Sequence, residues 1–218
     1  MKRTASSRRR PHTRKPHGQG HERSGEMLAA AKALFLEEGY HNVTTRKIAE
    51  RVGVSQTGFY VYFKSKDDIL TAIRNESFLE LETALRSTAE GKEADLALLH
   101  ALCRAYVNFA LSNRVEYQLS MIVGSIATPR RDPWDLRHPS LQGSPAVRAF
   151  DTLKAQIVRV MDGGHIKDGD PELVTLAIGM SLQGVCALLT SITDFPQAEA
   201  ETLVDMTLDM IVKGLASV

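Results

Sequence analysis

Side chains suited to contacting another molecule are concentrated between residues 44 and 66, where hydroxyl, amide, aromatic and basic groups alternate with apolar ones. Four of the chain's 13 aromatic residues fall within five consecutive positions of this segment. On a helix that turns by about 100° per residue, Phe59 and Phe63 share one face, and Thr57 and Val61 share the opposite face. The pattern predicts a short helix that is anchored by two phenylalanines and exposes a small, uncluttered strip. Such a strip is able to enter the major groove of DNA, which is wide enough to admit one helix.

Groups that favour phosphate surround this strip. Tyr60 borders it on one side and Tyr62 on the other, and one short helix cannot direct both into the same core, so their hydroxyls need polar partners. Either Thr44 or Thr45, and also Lys66, stands at the predicted start of a flanking helix, where free N–H groups and the helix dipole favour an anion. The segment therefore predicts contacts to nucleic-acid phosphates on both walls of the groove.

The elements that must position these groups are all helical. Thr44 or Thr45 caps a helix that turns Ile48 inward and ends at Gly53, and Ser55 caps the next helix, as in a helix-turn-helix. No stretch alternates apolar and polar residues between turn signals, so no strand is expected. The spacing of apolar residues predicts helices over 24–38, 44 or 45 to 52, 56–63, 66 to at least 85, 93–112, 114–126, 145–162, 173–193 and 196–216.

Charge divides the chain into parts that suit different partners. Residues 1–66 hold 14 Lys and Arg against 5 Asp and Glu, whereas residues 67–218 hold 13 against 21. The basic part fits a polyanion and the acidic part does not. Residues 1–23 contain eight basic residues and hardly any apolar ones, which predicts a disordered arm that either contacts DNA or serves only for solubility. We expect an all-α chain, with a three-helix helix-turn-helix DNA-binding domain over 24–72 and a helical effector-binding and dimerisation domain over 73–218.

The overall composition excludes several other classes of protein. The 218 residues are 43% hydrophobic and 24% charged, as in a soluble globular protein, and the length suffices for a real core. The two cysteines, Cys103 and Cys186, suggest neither a disulfide framework nor a metal cluster, and the seven histidines show no ligand spacing. Since the sequence also lacks a Gly-rich phosphate loop and a catalytic cluster, we expect no enzyme activity, no metal and no cofactor, and a cytoplasmic location.

The segment from Leu173 to Thr193 runs for 21 residues without a charge, which is long enough to span a membrane. A membrane-associated helical protein is therefore the alternative function. Six Ser, Thr and Gln side chains dilute the hydrophobicity, and Asp170-Pro171-Glu172 ahead of the segment is typical of the start of a soluble helix. The composition favours a helix that is buried on several faces without entering a membrane. With the apolar stripe of the last helix, it predicts a homodimer interface through about 171–193 and 196–216.

Five short motifs occur in order along residues 24–72: Ile48-Ala49-Glu50, Gly53-Val54-Ser55, Phe59-Tyr60, Tyr62-Phe63 and Lys66-Asp67-Asp68-Ile69-Leu70. They lie near the amino terminus of a chain that continues only in helices. With this spacing, the segment resembles the DNA-binding domain of the TetR family of transcriptional regulators. The resemblance implies that Thr45, Tyr60, Tyr62 and Lys66 bind phosphates and that Gln56, Thr57 and Gly58 approach base edges; Arg46 completes the predicted DNA-binding set.

The resemblance also implies a mechanism. One recognition helix reaches few base pairs, so a homodimer would hold two of them about 34 to 36 Å apart on a palindromic operator in double-stranded DNA. A small molecule bound between helices of the acidic domain would change that separation and release the DNA, so we expect a ligand-relieved repressor, with activation as the other sign of regulation. The expected pocket residues combine polar and apolar groups from the central helices and the proline-rich loop 127–143: Cys103, Tyr106, Tyr117, Met121, Trp134, Met180 and Gln183.

Overall fold

A computed structural model describes residues 20–123, 142–192 and 194–217. Backbone contacts divide the chain into an N-terminal unit, Met1–Lys66, and a C-terminal unit, Asp67–Val218. Within the described residues the elements are all helical, and the β-type pairing consists of one isolated bridge between Ile166 and Ala216. The predicted all-α class is confirmed.

The described part of the N-terminal unit, from residue 20 onward, contains three α-helices and a short 3-10 turn. They are α1 (Gly20–Glu38), the 3-10 turn Tyr40–Asn42, α2 (Thr45–Val52) and α3 (Gln56–Tyr60). The expected disordered arm over 1–23 is wrong at its carboxyl end, because α1 already begins at Gly20; residues 1–19 lie outside the described part. An ion pair between Arg23 and Glu26, 2.7 Å apart, joins the first turns of α1.

The C-terminal unit is a bundle of helices around one apolar core. Its first helix, α4, begins at the last residue of the N-terminal unit. The largest fully buried side chains of this core include Tyr117, Leu99 and Leu102. The helices are α4 (Lys66–Ala89), α5 (Leu96–Ser112), α6 (Arg114–Tyr117), a π-helical segment (Gln118–Val123), α7 (Pro145–Asp162), α8 (Pro171–Ser191) and α9 (Gln197–Leu215).

Capping residues explain where these helices differ from the prediction. Helix α5 begins at Leu96, three residues later than expected, because the carboxylate of Asp95 accepts a hydrogen bond from the N–H of Leu98 at 2.8 Å. Helix α8 begins at Pro171, where the capping sequence Asp170-Pro171-Glu172 predicts a helix start, and the carboxylate of Asp170 accepts a hydrogen bond from the N–H of Glu172 at 2.8 Å. The proline-rich loop over 127–143, with Trp134, lies outside the described residues except for its last two positions.

Helix α8 is the uncharged segment that raised the membrane alternative. In the part of the chain that the structure describes, it is the one helix whose length and composition would allow it to cross a membrane, and about a third of that apolar window is buried. It contacts α5, α7 and α9, and Ile178, Leu182 and Cys186 on its inner face belong to the core of the bundle. These contacts favour the predicted bundle helix over a membrane anchor.

Candidate nucleic-acid interface

Helix α2 supplies one side of the predicted interface. Thr44 has an extended backbone, and its side-chain oxygen accepts a hydrogen bond from the N–H of Lys47 at 3.2 Å. Thr44 is therefore the cap and Thr45 the first helical residue, which decides between the two alternatives that the sequence left open. Ile48 is fully buried, and the left-handed backbone of Gly53, with φ of 75°, ends the helix and turns the chain toward α3.

Helix α3 is short, and two aromatic anchors and one cap hold it in place. The hydroxyl oxygen of Ser55 accepts a hydrogen bond from the N–H of Gly58 at 3.0 Å. Phe59 is completely buried and Phe63 nearly so, with their ring centroids 6.1 Å apart. The structure therefore places both phenylalanines in the core of the N-terminal unit, as the helical period predicts.

The end of α3 differs from the prediction, which extended the helix to Phe63. The carbonyl of Phe59 accepts hydrogen bonds from the N–H groups of both Tyr62, at 3.0 Å, and Phe63, at 3.1 Å. These bonds tighten the chain into a turn after Tyr60, so the regular helix ends there. Val61 nevertheless stays on the outer side, and with 74% of its surface exposed it is an apolar side chain that the fold does not use.

The outer side of α3 collects most of the predicted DNA-contacting groups. Gln56 and Thr57 are exposed at its amino end, and Tyr60 and Tyr62 are exposed at its carboxyl end. The hydroxyl of Tyr60 lies 3.5 Å from the side-chain oxygen of Thr45, so the first residue of α2 and the last residue of α3 present their hydroxyls side by side. Two adjacent hydroxyls can donate to neighbouring oxygens of one phosphate.

Basic side chains on α2 are held by acidic neighbours at the surface. The guanidinium of Arg46 lies 2.8 Å from the carboxylate of Glu50, and that of Arg51 lies 2.8 Å from the carboxylate of Glu37. The hydrogen bond and charge of Glu50 raise the pKa of Arg46. Exposed pairs of this kind contribute little to stability, so a phosphate can displace the carboxylate from Arg46 at little cost.

Lys66 behaves differently from the expectation that it binds phosphate. Its ammonium donates hydrogen bonds to the backbone carbonyls of Tyr40 at 2.8 Å, Val43 at 3.1 Å and His41 at 3.4 Å. It also lies 4.4 Å from the centre of the Tyr40 ring. An ammonium has three donors, and carbonyls occupy all three, so the side chain fastens the loop between α1 and α2 within the N-terminal unit. This engagement argues against the predicted phosphate contact by the ammonium of Lys66.

Comparison with known proteins agrees with this geometry. A model of bacterial regulatory proteins of the tetR family matches residues 27–73. A model of the tetracyclin repressor-like C-terminal domain matches residues 99–211, which is more than half of the chain. The chain belongs to the TetR family. The predicted family is confirmed, and because TetR members are regulatory proteins, the expectation that the chain is not an enzyme agrees with the match.

The chain is also similar to individual proteins, over short segments in sequence and over most of its length in structure. The transcriptional activator FasR of Mycolicibacterium smegmatis is 30% identical over 98 residues, which is 45% of each chain. The fatty acid metabolism regulator protein of Bacillus subtilis is 36% identical over 72 residues, 31% of this chain and 37% of that one. The chain thus spans less than half the length of these relatives. A regulatory protein of the tetR family from Rhodococcus RHA1 has the same fold, with a TM-score of 0.69 at 23% identity over 90% of this chain and 99% of that one.

The C-terminal unit places three of the expected pocket residues in its core. Cys103, Tyr106 and Tyr117 are buried, and the hydroxyls of the two tyrosines lie 3.5 Å apart. Burial raises the pKa of Cys103 to about 12 and that of Tyr106 well above its usual range, so both groups are neutral at physiological pH. The Tyr117 hydroxyl also hydrogen-bonds to the buried thiol of Cys186, so Tyr106, Tyr117 and Cys186 form a polar island in this apolar interior, whereas Cys103 is buried in the same core without a contact to it among those described.

The other expected pocket residues do not all join this island. Met180 is 55% exposed on the outer face of α8, so its side chain faces away from the core, contrary to the expectation. Gln183 and Met121 are half-buried, and Trp134 lies outside the described residues. The helical period of an uncharged helix does not reveal which face turns inward, which is why the sequence placed Met180 with Gln183.

The structure shows a cavity that the sequence analysis missed. It has a volume of about 310 Å³ and lies between α5, the start of α6, the end of α8 and the first half of α9. Arg104, Asn108 and Arg114 contribute its polar groups from the α5 and α6 side. A signal was present, since Arg104 and Asn108 stand four residues apart on a mainly apolar helix and so share one face.

Proposed function

We propose that the chain is a sequence-specific DNA-binding transcriptional regulator that enters the major groove with α3. One observation carries the proposal: Phe59 and Phe63 are buried, whereas Thr57, Val61 and their neighbours on the opposite side remain exposed. A helix so small on its outer side can lie deep in the groove. Gly58 supports this approach, since it adds no side chain between the helix backbone and the base edges.

Contacts to the two walls of the groove divide into positioning and recognition. Thr45 and Tyr60 together offer two hydroxyls to one phosphate, and Tyr62 offers a third on the other side of the strip. Gln56 and Thr57 stand at the exposed amino end of α3, where side chains reach base edges. Phosphate contacts set the register and base contacts select the sequence.

Selection of bound fragments from random DNA by the purified protein tests this proposal. On the selected site, Tyr60→Phe should weaken binding to every sequence alike, by about three- to tenfold for one lost hydrogen bond. Thr57→Ala should instead change the preference at one position of each half-site. Thr83→Ala, on the exposed side of α4, is the matched control and should change neither property. If no sequence is enriched at moderate salt, the proposal is refuted. If Tyr60→Phe changes the base preference and Thr57→Ala weakens binding to all sequences alike, the assignment of Tyr60 to phosphate and Thr57 to bases is refuted.

We also propose that the protein acts as a homodimer through α8 and α9. Outside the core, α8 exposes Met180 and Leu188, and α9 exposes Leu203, Met206 and Met210. Apolar side chains that cluster on the outer faces of two adjacent helices are typical of a subunit interface.

A buried charge on such an interface would separate the subunits. Leu203→Asp and Met206→Asp should each shift the protein toward monomers in sedimentation velocity at micromolar concentration. Leu79→Asp is the control, because Leu79 is also half exposed but lies on α4. Dimers that persist in both α9 variants would place the interface elsewhere.

Regulation by a small molecule follows from the family resemblance of the C-terminal unit. We propose a cytoplasmic repressor whose dimer releases a palindromic operator when an effector binds among these helices. A coupling of about 1 to 3 kcal/mol would lower DNA occupancy by roughly 5- to 150-fold. Because the relative FasR is named an activator, the direction of regulation has to be tested. A transcription assay on templates with and without the operator distinguishes repression from activation. Higher transcription on adding the protein would exclude repression.

A further inference from the structure

The cavity beside α5 has an apolar floor and a polar rim. Val107, Leu189 and Val204 are almost completely buried at its floor, and Leu111 and Phe195 are half-buried around them. Its volume of about 310 Å³ is at the lower end of the range of about 300 to 1,000 Å³ that small-molecule sites occupy. The cavity therefore suits the apolar body of a small ligand.

The acidic groups on the rim already have partners. Asp205 forms an ion pair with Arg104 across the cavity, from α9 to α5. The carboxylate of Glu201 accepts a hydrogen bond from the side-chain amide of Gln197 at 2.8 Å. Each carboxylate of the rim thus has a donor before any ligand binds.

One cation of the rim is different. Arg114, the first residue of α6, lines the cavity, and within the described ranges its guanidinium has neither an ion pair nor a side-chain hydrogen bond. Asn108 lies on the same rim and adds an amide donor. The first turn of α9 also lines the cavity and has no side-chain cap, which leaves backbone N–H groups at that helix start. A guanidinium binds a carboxylate through two parallel hydrogen bonds.

We propose that this cavity is a binding site for a small amphipathic monocarboxylate. The carboxylate pairs with Arg114 and Asn108 at the rim, and the apolar body lies on Val107, Val204 and Phe195. This site differs from the polar island of Tyr106, Tyr117 and Cys186 and from Cys103, none of which lines it. The inference deepens the proposed function by naming the chemical class and the location of an effector. Binding at this cavity does not depend on the proposed function; only its effect on regulation does.

Isothermal titration of the full-length protein without DNA tests the site with three probes of equal size. The probes are 4-phenylbutanoate, its neutral amide 4-phenylbutanamide, and the cation 4-phenylbutylamine. We expect the carboxylate to bind at least about tenfold more tightly than the amide, because hydrogen bonds between two charged groups are stronger than those to a neutral amide. Equal binding of the acid and the amide, or tighter binding of the amine, would overturn the proposal.

Three variants locate the bound probe. Arg114→Gln should weaken carboxylate binding by about tenfold or more and leave amide binding nearly unchanged. Arg159→Gln is the matched control, because Arg159 lines a separate groove between α4 and α7. Ala200→Leu fills the cavity from α9 and should weaken both probes, with circular dichroism checking the fold. Loss of binding in Arg159→Gln, or unchanged binding in Arg114→Gln, would refute the site. Since DNA is absent, failure of the DNA-binding proposal would leave these results untouched.

Discussion

Replacing Lys66 by methionine separates the structural role of this lysine from the phosphate contact that the sequence suggests. The ammonium donates well-formed bonds to the carbonyls of Tyr40 and Val43, at 2.8 and 3.1 Å, and a longer one to His41. Two hydrogen bonds to a charged donor contribute about 1.5 to 3 kcal/mol each, and part is recovered because the ammonium no longer has to leave water. We expect Lys66→Met to lower the free energy of opening the N-terminal unit by about 2 to 4 kcal/mol.

Hydrogen–deuterium exchange of peptides from the N-terminal unit measures this loss directly. A change of about 2 to 4 kcal/mol speeds exchange by roughly 30- to 700-fold where opening and closing are faster than the exchange step. DNA binding, measured at a temperature where the variant is folded, should keep its salt dependence. A phosphate contact would give the opposite pattern, with normal exchange and a log–log salt slope reduced by about 0.9 for each subunit, or about 1.8 for the dimer. Lys92→Met, at an exposed lysine of the C-terminal unit, should change neither quantity.

Three further changes test separate parts of the structure. Glu82 is buried between two arginines; burial raises its pKa, but hydrogen bonds from Arg148 and Arg86 outweigh this and leave the pKa lowered. At a pH above 4.5, the ordinary pKa of this carboxyl, Glu82→Gln should therefore lower the free energy of unfolding by about 1 to 3 kcal/mol. In urea titrations this difference between variant and parent should shrink as the pH falls through the lowered pKa of Glu82. A difference that does not change with pH would contradict the pairing. Gly58→Ala adds a Cβ 3.3 Å from the Ser55 oxygen, so the free energy of unfolding should change by less than about 1 kcal/mol. DNA affinity in a mobility-shift assay should drop about tenfold, because the new methyl group faces the groove. Unchanged affinity would show that Gly58 does not approach the DNA. Phe59→Ala should lower the free energy of unfolding by about 3 to 5 kcal/mol and abolish binding to every DNA sequence. A folded variant that still binds DNA would show that Phe59 is not the residue that holds α3 in place.

The orientation of α3 was predictable because it depends on one number, the angle per residue of a helix. That angle puts Phe59 and Phe63 on one side and Thr57 on the other, and any packed arrangement buries the side with the two rings. The cap Ser55 was likewise visible, and the cap of α2 was narrowed to Thr44 or Thr45, since each hydroxyl stands just before an apolar helical pattern; the structure selects Thr44. Local chemistry and period together therefore predicted the part of the candidate site that is contained in α2 and α3.

Contacts between residues distant in sequence were not predictable. Lys66 lies more than twenty residues from the carbonyls that hold it, and nothing in its neighbourhood distinguishes it from a lysine that faces solvent. The inward face of α8 depends on which of its neighbours cover it, so Met180 was misplaced although the helix itself was found. Such errors arise where packing, rather than local sequence, selects one of several equivalent faces.

Helix α9 joins the proposed carboxylate site to the proposed dimer interface, and this gives a final prediction. Its Ala200 and Glu201 line the cavity, Leu208 is buried in the core, and Leu203 and Met206 point outward. Because a close-packed helix moves as a unit, a ligand that shifts one face also shifts the other. Bound 4-phenylbutanoate should thus change the dimer dissociation constant in sedimentation equilibrium.

Linkage makes the prediction reciprocal: if the probe weakens the dimer by some factor, dimerisation must weaken probe binding by the same factor. Titrations of the probe at protein concentrations above and below the dimer dissociation constant compare its affinity for dimer and for monomer. They therefore measure the second factor independently of the first. Both effects should disappear together in the Arg114→Gln variant, which removes the anchoring charge and leaves α9 intact. A probe that binds with one affinity to monomer and dimer alike would show that α9 does not couple the two surfaces.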